Sequence, residues 1–385
     1  IGIEDKIRWF DRMTFVEPGG RQSVLVPKFL PAPLFAMPSL FGFKFLNWAD
    51  KAALAQGLVA LIARIPKDDG SSFQDWLVHH RQTSVAIERF WKPILVSALS
   101  EDMDRISVPY AAQVVRESMK SQNARRMGIP TVPLTDLYSA AQDYICARGG
   151  TIRLRNSVQS FLPTERGVRL KLQDAEEEYD YGVMAVPFDS LAKLLPGSAE
   201  SQDLREKLGH FETSPITGVH LWFDRQITDL DHAVLLDRTI QWMFHKSKLL
   251  GRNSQGSYVE LVISSSKSLL EKPRQEIVDL ALAELREFFP DAREAKLLKS
   301  TVIKEVNATF SPLPGVDRYR PQQQSPWPRI FLAGDWTATG WPATMEGAVR
   351  SGYMAAERLL GSSGQRKKFL VPDLLSTGLM RFVPE

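Results

Sequence analysis

The residues of this chain whose types and spacing could do chemistry are concentrated in one stretch, residues 329–360, which reads RIFLAGDWTATGWPATMEGAVRSGYMAAERLL. Its opening apolar run, 330–333, suits a short strand buried on both faces of a parallel sheet. Ligands of such sheets sit beyond the carboxyl ends of the strands. There the chain places Gly334, which lets a backbone approach a ligand, and Asp335, whose carboxylate can accept a hydrogen bond from a sugar or ribityl hydroxyl. An isolated Gly-Asp pair is otherwise a turn or a helix cap. After Trp341 and Pro342 a helical pattern begins, with Pro342 near the first turn and Glu346 where the helix dipole favours a carboxylate. Ala348, Ser351, Gly352 and Ala355 fall at i, i+3, i+4 and i+7, so one helix face is expected to be nearly free of side chains and able to lie against a sheet or a flat ring. Interior glycines cost about 1 kcal/mol each relative to alanine, and close approach is the expected compensation.

Other chemistries find little support. His79, His80, His210, His220, His232 and His245 show no H-E-x-x-H or Cys/His spacing, so no metal site is expected. Ser264, Ser265 and Ser266 do not form a G-x-S-x-G elbow, and there is no P-loop. No G-x-G-x-x-G occurs either; Gly19-Gly20 and Gly149-Gly150 do not extend into one. The single cysteine, Cys146, excludes an internal disulfide and fits a reducing cytoplasm. The net charge of +3 argues against a nucleic-acid partner.

The elements that must position the motif can be read along the chain. Residues 50–65, 73–99 and 107–126 carry helical periodicity, and a further helix runs to Cys146 and stops at Gly149-Gly150. Strands are expected at 151–154, 158–162, 168–173 and 181–186, with an acidic turn at 174–178. More strands are expected at 216–223, 240–244 and 258–263, followed by an amphipathic helix over 274–289. Residues 24–48 hold four prolines among Phe and Leu, which predicts an irregular apolar loop or lid against the core, along a substrate channel, or in a lipid interface. The tail from 361 opens with GSSGQRKK and continues FLVPDLLSTGLMRFV, a basic cluster ahead of apolar residues that could dock on anionic lipid, pack on the body or stay disordered. With no apolar run of 18 residues the chain is not expected to span a membrane. A cytoplasmic protein, peripheral on the inner face of the cytoplasmic membrane, is the corresponding expectation.

The 329–360 stretch resembles the C-terminal FAD motif of the amine oxidase and phytoene desaturase superfamily, and its wording is closest to the hydroxysqualene dehydroxylases, the squalene-associated FAD-dependent desaturases. The resemblance covers nearly all of residues 1–360. It implies an α/β (α+β) fold: a Rossmann-like FAD-binding domain with an inserted amine-oxidase-type substrate domain of mixed sheet and helices. It also implies that the G-x-G-x-x-G βαβ unit stands ahead of Ile1 in relatives, so the chain is expected to be an N-terminally incomplete copy. The implied division is 1–130, lid and helical part of the substrate domain; 131–210, adenine strand and β-meander of the FAD domain; 211–295, substrate-domain sheet and helix; 296–360, the C-terminal FAD motif; and 361–385, the basic and apolar tail.

By the same resemblance FAD would be held by Val158 at the adenine, by Ala185 and Pro187 after a strand, and by Gly334, Asp335, Trp336, Gly340, Trp341, Pro342, Ala343, Thr344, Met345 and Ala348. The family reaction implied is reduction of hydroxysqualene to squalene, in which an allylic hydroxyl leaves and hydride from reduced flavin quenches the cation, a step toward hopanoids. Such a reaction needs a dry, apolar site and one acid. Asp102, Asp136 and His220 are the candidate acids, each with an ordinary structural alternative as a cap or a strand residue. Trp222 and Trp242 are candidate channel residues whose π faces would stabilise a cation. The alternatives are a phytoene-type desaturase, with hydride moving from substrate to oxidised FAD, and, outside catalysis, a flavin-free fragment that binds prenyl lipid or a membrane surface.

Overall fold

The computed structural model describes residues 1–27, 30–124, 126–251 and 256–383. Its strands are β1 (Ile7–Phe10), β2 (Met13–Val16), β3 (Gln22–Leu25), β4 (Met127–Pro130), β5 (Ser160–Pro163), β6 (Val168–Lys171) and β7 (Glu176–Tyr179). They continue with β8 (Gly182–Met184), β9 (Thr213–Phe223), β10 (His232–Leu235), β11 (Trp242–His245), β12 (Ser257–Ser264), β13 (Leu297–Phe310) and β14 (Ile330–Leu332). The helices are α1 (Met37–Gly42), α2 (Trp48–Ala63), α3 (Phe73–His79), α4 (Ser84–Ala86), α5 (Lys92–Leu99) and α6 (Val108–Met119). After them come α7 (Leu134–Cys146), α8 (Phe188–Leu194), α9 (Gln202–Leu208), α10 (Lys246–Leu249), α11 (Arg274–Phe288) and α12 (Met345–Ser362). The chain folds as two units, one of Ile1–Ile152, Ser214–Ala308 and Leu374–Glu385, the other of Arg153–Thr213 and Thr309–Asp373. These boundaries stand against expected ones at 130, 210, 295 and 360.

The first unit is built on a seven-stranded sheet in the order β13-β9-β12-β11-β10-β2-β3. Strict alternation along β9 and β12 explains why it has one dry face: Val219, Leu221, Val259 and Leu261 are fully buried while Gly218, His220, Trp222 and Glu260 are half-buried. Ile277, Val278, Ala281, Leu285 and Phe288 of α11 cover the dry face at helical spacing. Glu284, on the same side of α11, is buried and accepts from the backbone N–H of Thr239 and Ile240 at 3.1 and 3.0 Å, fixing the turn into β11. The parallel pairing of β2 with β10 was not legible beforehand; it recruits the N-terminal segment into this sheet.

Around the sheet lies the helical block. Asn47 and Asp50 form a reciprocal cap at the start of α2, as do Ser72 and Asp75 at α3. Between α4 and α5 the helix widens into a π-helical turn, Ile87–Trp91, in which the Lys92 N–H reaches back to the Ile87 carbonyl. Pro93 explains it, since its ring would clash with the carbonyl four residues back in a regular helix. Between β3 and α2 the described residues hold only a 3-10 turn, Leu34–Ala36, and the short α1, as the prolines there predict. The end of the tail packs on this unit: Met380 is buried against Ala32, Phe35 and Ala36, and the Leu379 N–H donates to the Ala32 carbonyl.

The second unit holds the antiparallel β5-β6-β7 sheet and the parallel pair β14-β8, in which Phe331 lies opposite Val183. Phe331 and Ala333 pack on Ala355 of α12. Several expectations need correction here. Residues 151–154 form no strand, and Leu154 stands 77% exposed, with no neighbouring strand to bury it. The strand expected from 158 begins only at Ser160. Residues 176–178 of the expected acidic turn belong to strand β7, where cross-strand pairs such as Arg169 with Glu178 neutralise their charges. Among the described residues no helix is long and apolar enough to cross a membrane.

Candidate functional site

The parallel pair β14-β8 sets the site, since both strands end at the same edge and both deliver chain there. From β14 come Gly334 and Asp335; from β8 come Ala185, Val186 and Pro187. Ala333 N–H donates to the Met184 carbonyl, extending the ladder by one bond. Gly334 has φ +143°, and a Cβ there would sit 2.2 Å from Trp336 Nε1, so only glycine fits. Trp336 lies beneath that glycine, 1% exposed, and its Nε1 donates to the Val186 carbonyl at 3.1 Å. Trp336, expected among the cofactor residues, has its indole buried, where it ties the two strand ends together.

The loop that follows is held by a residue the sequence reading passed over. Arg320, with a side chain 1% exposed, directs Nη2 at the carbonyls of Asp335, Thr337 and Trp341 at 2.8, 2.5 and 2.8 Å and at Thr339 Oγ1 at 3.0 Å. Its Nη1 meets Asp317 at 3.0 Å. A planar guanidinium suits such a role because its donors lie in one fixed fork. Gln323 adds a bond from Nε2 to Thr337 Oγ1 at 3.1 Å. Nothing in the run DRYRP ahead of the motif marks Arg320 over Arg318; only the fold separates them.

Helix α12 starts at the same edge. Thr344 caps it, accepting from the Gly347 N–H at 3.1 Å, and the first-turn amides of Met345 and Glu346 have no carbonyl of their own helix to bond. A Cβ on Gly347 would lie 2.7 Å from the Pro342 carbonyl, so the helix enters in close contact with the loop. The face expected to be free of side chains divides in two. Gly347, Ser351 and Ala355 are buried against the strand, with Ser351 Oγ accepting from Gly334 N–H at 2.7 Å, while Ala348 and Gly352 are exposed. The turn from strand to helix rotates the helix enough that i, i+4, i+8 faces inward. Pro342 is buried, Gly340 takes a left-handed turn at φ +76°, and Trp341, Ala343 and Met345 border the edge.

Asp335 is the electrostatic centre of this edge. Burial pushes its carboxyl above the usual carboxylate range, against the pull of the Trp336 N–H and Arg320. A largely buried carboxylate beside a helix N-terminus and a glycine-bared strand end is the donor and acceptor set that suits a ligand with hydroxyl and anionic groups. The residues therefore fit a dinucleotide flavin. Val158 belongs to the extended approach to β5, half-buried, and Pro187 caps α8.

In the first unit the structure does not gather the candidate acids. Asp102 accepts from Ser265 Oγ at 2.8 Å and pairs with Lys267 at 3.5 Å, with its side chain 49% exposed, so it braces two loops in contact with water. Asp136 is exposed in the first turn of α7, which begins at Leu134, earlier than the helix it was expected to cap. His220 lies on the half-buried sheet face, with Nδ1 at 2.9 Å from Tyr258 Oη, and burial pushes its pKa below the ordinary value despite Glu260. Trp222 stacks on Tyr258 with centroids 4.4 Å apart and faces Lys299 Nζ at 4.8 Å, so its π system already meets a cation of the protein. Trp242 donates to Ser97 Oγ at 2.7 Å and is fixed against α5.

Residues 1–360 match the model of the flavin containing amine oxidoreductases. The chain is similar to the probable zeta-carotene desaturase of Synechococcus elongatus, 27% identical over 390 residues, 90% of this chain and 81% of that protein. It is 25% identical to the 15-cis-phytoene desaturase of the same organism, over 96% of this chain and 83% of the other. Among solved structures, an oxidoreductase from Methanosarcina mazei superposes with a TM-score of 0.67 at 15% identity, covering 91% of this chain and 82% of that one. Putrescine oxidase bound to putrescine gives 0.64 at 14% identity, covering 94% and 84%.

Proposed function

Because the chain belongs to the flavin containing amine oxidoreductase family, with the mixed α/β fold of an FAD-binding domain and a substrate domain, we propose that it is an FAD-dependent desaturase of a carotenoid precursor. The observation that carries the cofactor is the cradle of Gly334, Asp335 and the α12 N-terminus at the end of the parallel strands. In it the Asp335 carboxylate would accept from a ribityl or ribose hydroxyl, the amides of Met345 and Glu346 would face the electron-rich edge of the ring, and Arg320 would keep the loop in register. Bound flavin supplies a two-electron hydride acceptor or donor. Ala348 and Gly352 are exposed on α12 beside the larger Met345, Val349 and Tyr353.

The substrate class rests on the relatives, which are named for phytoene and zeta-carotene, and on the absence of a fitted acid among the three candidates. Desaturation by hydride removal needs no group to protonate a leaving hydroxyl, only an acceptor for the proton lost from the adjacent carbon as the double bond forms. His220, the one candidate among aromatic neighbours, is pushed toward its neutral form. The second reading, reduction of hydroxysqualene to squalene, is favoured by the wording of residues 332–357 and requires an acid from elsewhere. A peripheral membrane contact suits either lipid: Leu375 and Phe382 near the tail end are 83% and 84% exposed and follow the cluster Arg366, Lys367 and Lys368. Redox direction decides between the readings. Under anaerobic conditions, bleaching of oxidised flavin by phytoene supports desaturation; reoxidation of reduced flavin by hydroxysqualene with no response to phytoene rejects it.

A further inference from the structure

The first unit contains an apolar cavity of about 200 Å³ that the flavin edge does not explain. Its walls come from β2 and β3, the proline-rich segment after β3, α2, the π-helical turn, and α6. The π turn matters because it rotates the helix so that consecutive Phe90 and Trp91, and then Ile94, all reach the cavity. Insertions of this kind recur at functional sites. Three methionines, Met13, Met119 and Met127, complete the lining with side chains that can re-pack around a flexible guest.

Its polarity restricts the guest. Trp91 Nε1 is committed to Gln82 Oε1 at 2.9 Å, and Ser118 Oγ to the Val115 carbonyl at 2.8 Å. The charged lining residues, Asp11 and Arg12, are exposed, and Asp11 is paired with Arg126 at 3.1 Å, so both stand at a rim. A guest must therefore be apolar inside, with any polar group left at the Asp11 side. A cavity of about 150 Å³ holds one six-carbon ring, so this one takes roughly six to ten carbons.

We propose that this cavity receives the terminal units of a prenyl chain. The prenyl assignment rests on the isoprenoid reading above; the cavity and its apolar preference do not. The full chain, with methyl-labelled methionine, is titrated with farnesol and separately with hexadecane, following the ten methionine ε-methyl signals by NMR. Signals are assigned by single Met→Leu variants. Farnesol is expected to shift the methyls of Met13, Met119 and Met127 and to leave the others in place, with hexadecane at least tenfold weaker. Val114→Phe, which fills the cavity, should abolish the shifts, and Ser118→Leu does the same if Val114→Phe fails to fold. Farnesol shifts that survive both fillings, or that spare these three methyls, overturn the proposal, and equal shifts with hexadecane overturn the prenyl assignment. None of these readouts needs turnover. Flavin that responds to no isoprenoid defeats the functional reading alone, whereas phytoene turnover with the three methyls unmoved defeats this inference alone.

Discussion

Replacing Arg320 with methionine tests whether the loop of the flavin edge is held from below. Nη2 has two hydrogens shared among four oxygens, so the variant removes about two charge-assisted bonds, each worth roughly 1.5–3 kcal/mol. The pair with Asp317 adds little, because that carboxylate is 58% exposed. Removing a fully buried guanidinium recovers part of its desolvation cost, which brings the expected net loss to about 3 kcal/mol. For a unit of this size that is a fall of about 10 °C in Tm, read by calorimetry on the transition that includes the second unit. Retention of FAD after desalting should fall at least tenfold, since the carbonyls of Asp335 and Trp341 lose their anchor. Arg320→Lys keeps the charge but offers a point donor in place of a fork, and should recover less than half of the loss. A loss below about 1 kcal/mol, or a lysine variant indistinguishable from wild type, would refute the claim that fork geometry organises the loop.

Four shorter tests follow from the same contacts. Asp335 has a raised pKa, so its ionised form costs stability in the flavin-free protein at neutral pH, and the cost fades as pH falls toward the ordinary carboxylate range. Asp335→Asn should therefore raise the Tm of the apo-protein at pH 7 while abolishing flavin retention; a lower apo Tm would contradict the burial argument. Gly334→Ala combines φ strain with a clash against Trp336 and should cost about 3–5 kcal/mol in urea melts, with flavin binding lost in parallel. His220, His232 and His245 are all pushed below the usual histidine pKa by burial. The first unit is thus at full stability above about pH 6.5 and should weaken as pH falls below it, because the unfolded chain then binds more protons. A melting temperature flat from pH 8 to pH 5 would be the contrary result. Finally, Leu375→Ser with Phe382→Ser should lower sedimentation with anionic vesicles several-fold without changing Tm, and equal sedimentation would remove the tail from any lipid contact.

How far the sequence could be read depended on whether an element's partners are near it in the chain. The strand 330–332, the glycine at 334 and the helix after it were legible because each declares itself locally, by an apolar run, by a residue without a side chain, and by a helical period with a carboxylate in the first turn, although the helix starts at Met345 and leaves Pro342 in the loop. Helix α11 was legible for the same reason. The parallel docking of β2 on β10 was not, since it joins residues more than two hundred positions apart, and four-residue strands carry too little period to announce a partner. Arg320 was hidden by a different cause: its acceptors are backbone oxygens, and a backbone oxygen leaves no trace in the residue types that surround it.

The candidate acids failed for the complementary reason. Asp102, Asp136 and His220 are chemically capable, but capability is a property of residue type, whereas an acid is made by environment. The structure gives Asp102 a lysine and water, Asp136 open solvent, and His220 a burial that drives off its proton. A dehydroxylase reading therefore needs a proton source from none of these three groups, while a desaturase needs a proton acceptor, since hydride leaves to the flavin and the adjacent carbon must then lose H+ to form the double bond. His220→Phe separates the two physically. It removes the imidazole from a sheet face already rich in aromatic rings, where the Tyr258 hydroxyl can turn to water. If hydride leaves the substrate, the rate should change less than about threefold, equivalent to some 0.6 kcal/mol. If a hydroxyl must be protonated there, kcat should fall by about 10²-fold or more, with the alkaline limb of the pH profile, where the acid would deprotonate, lost. The second outcome would return the acid to the sheet and overturn the desaturase reading with it.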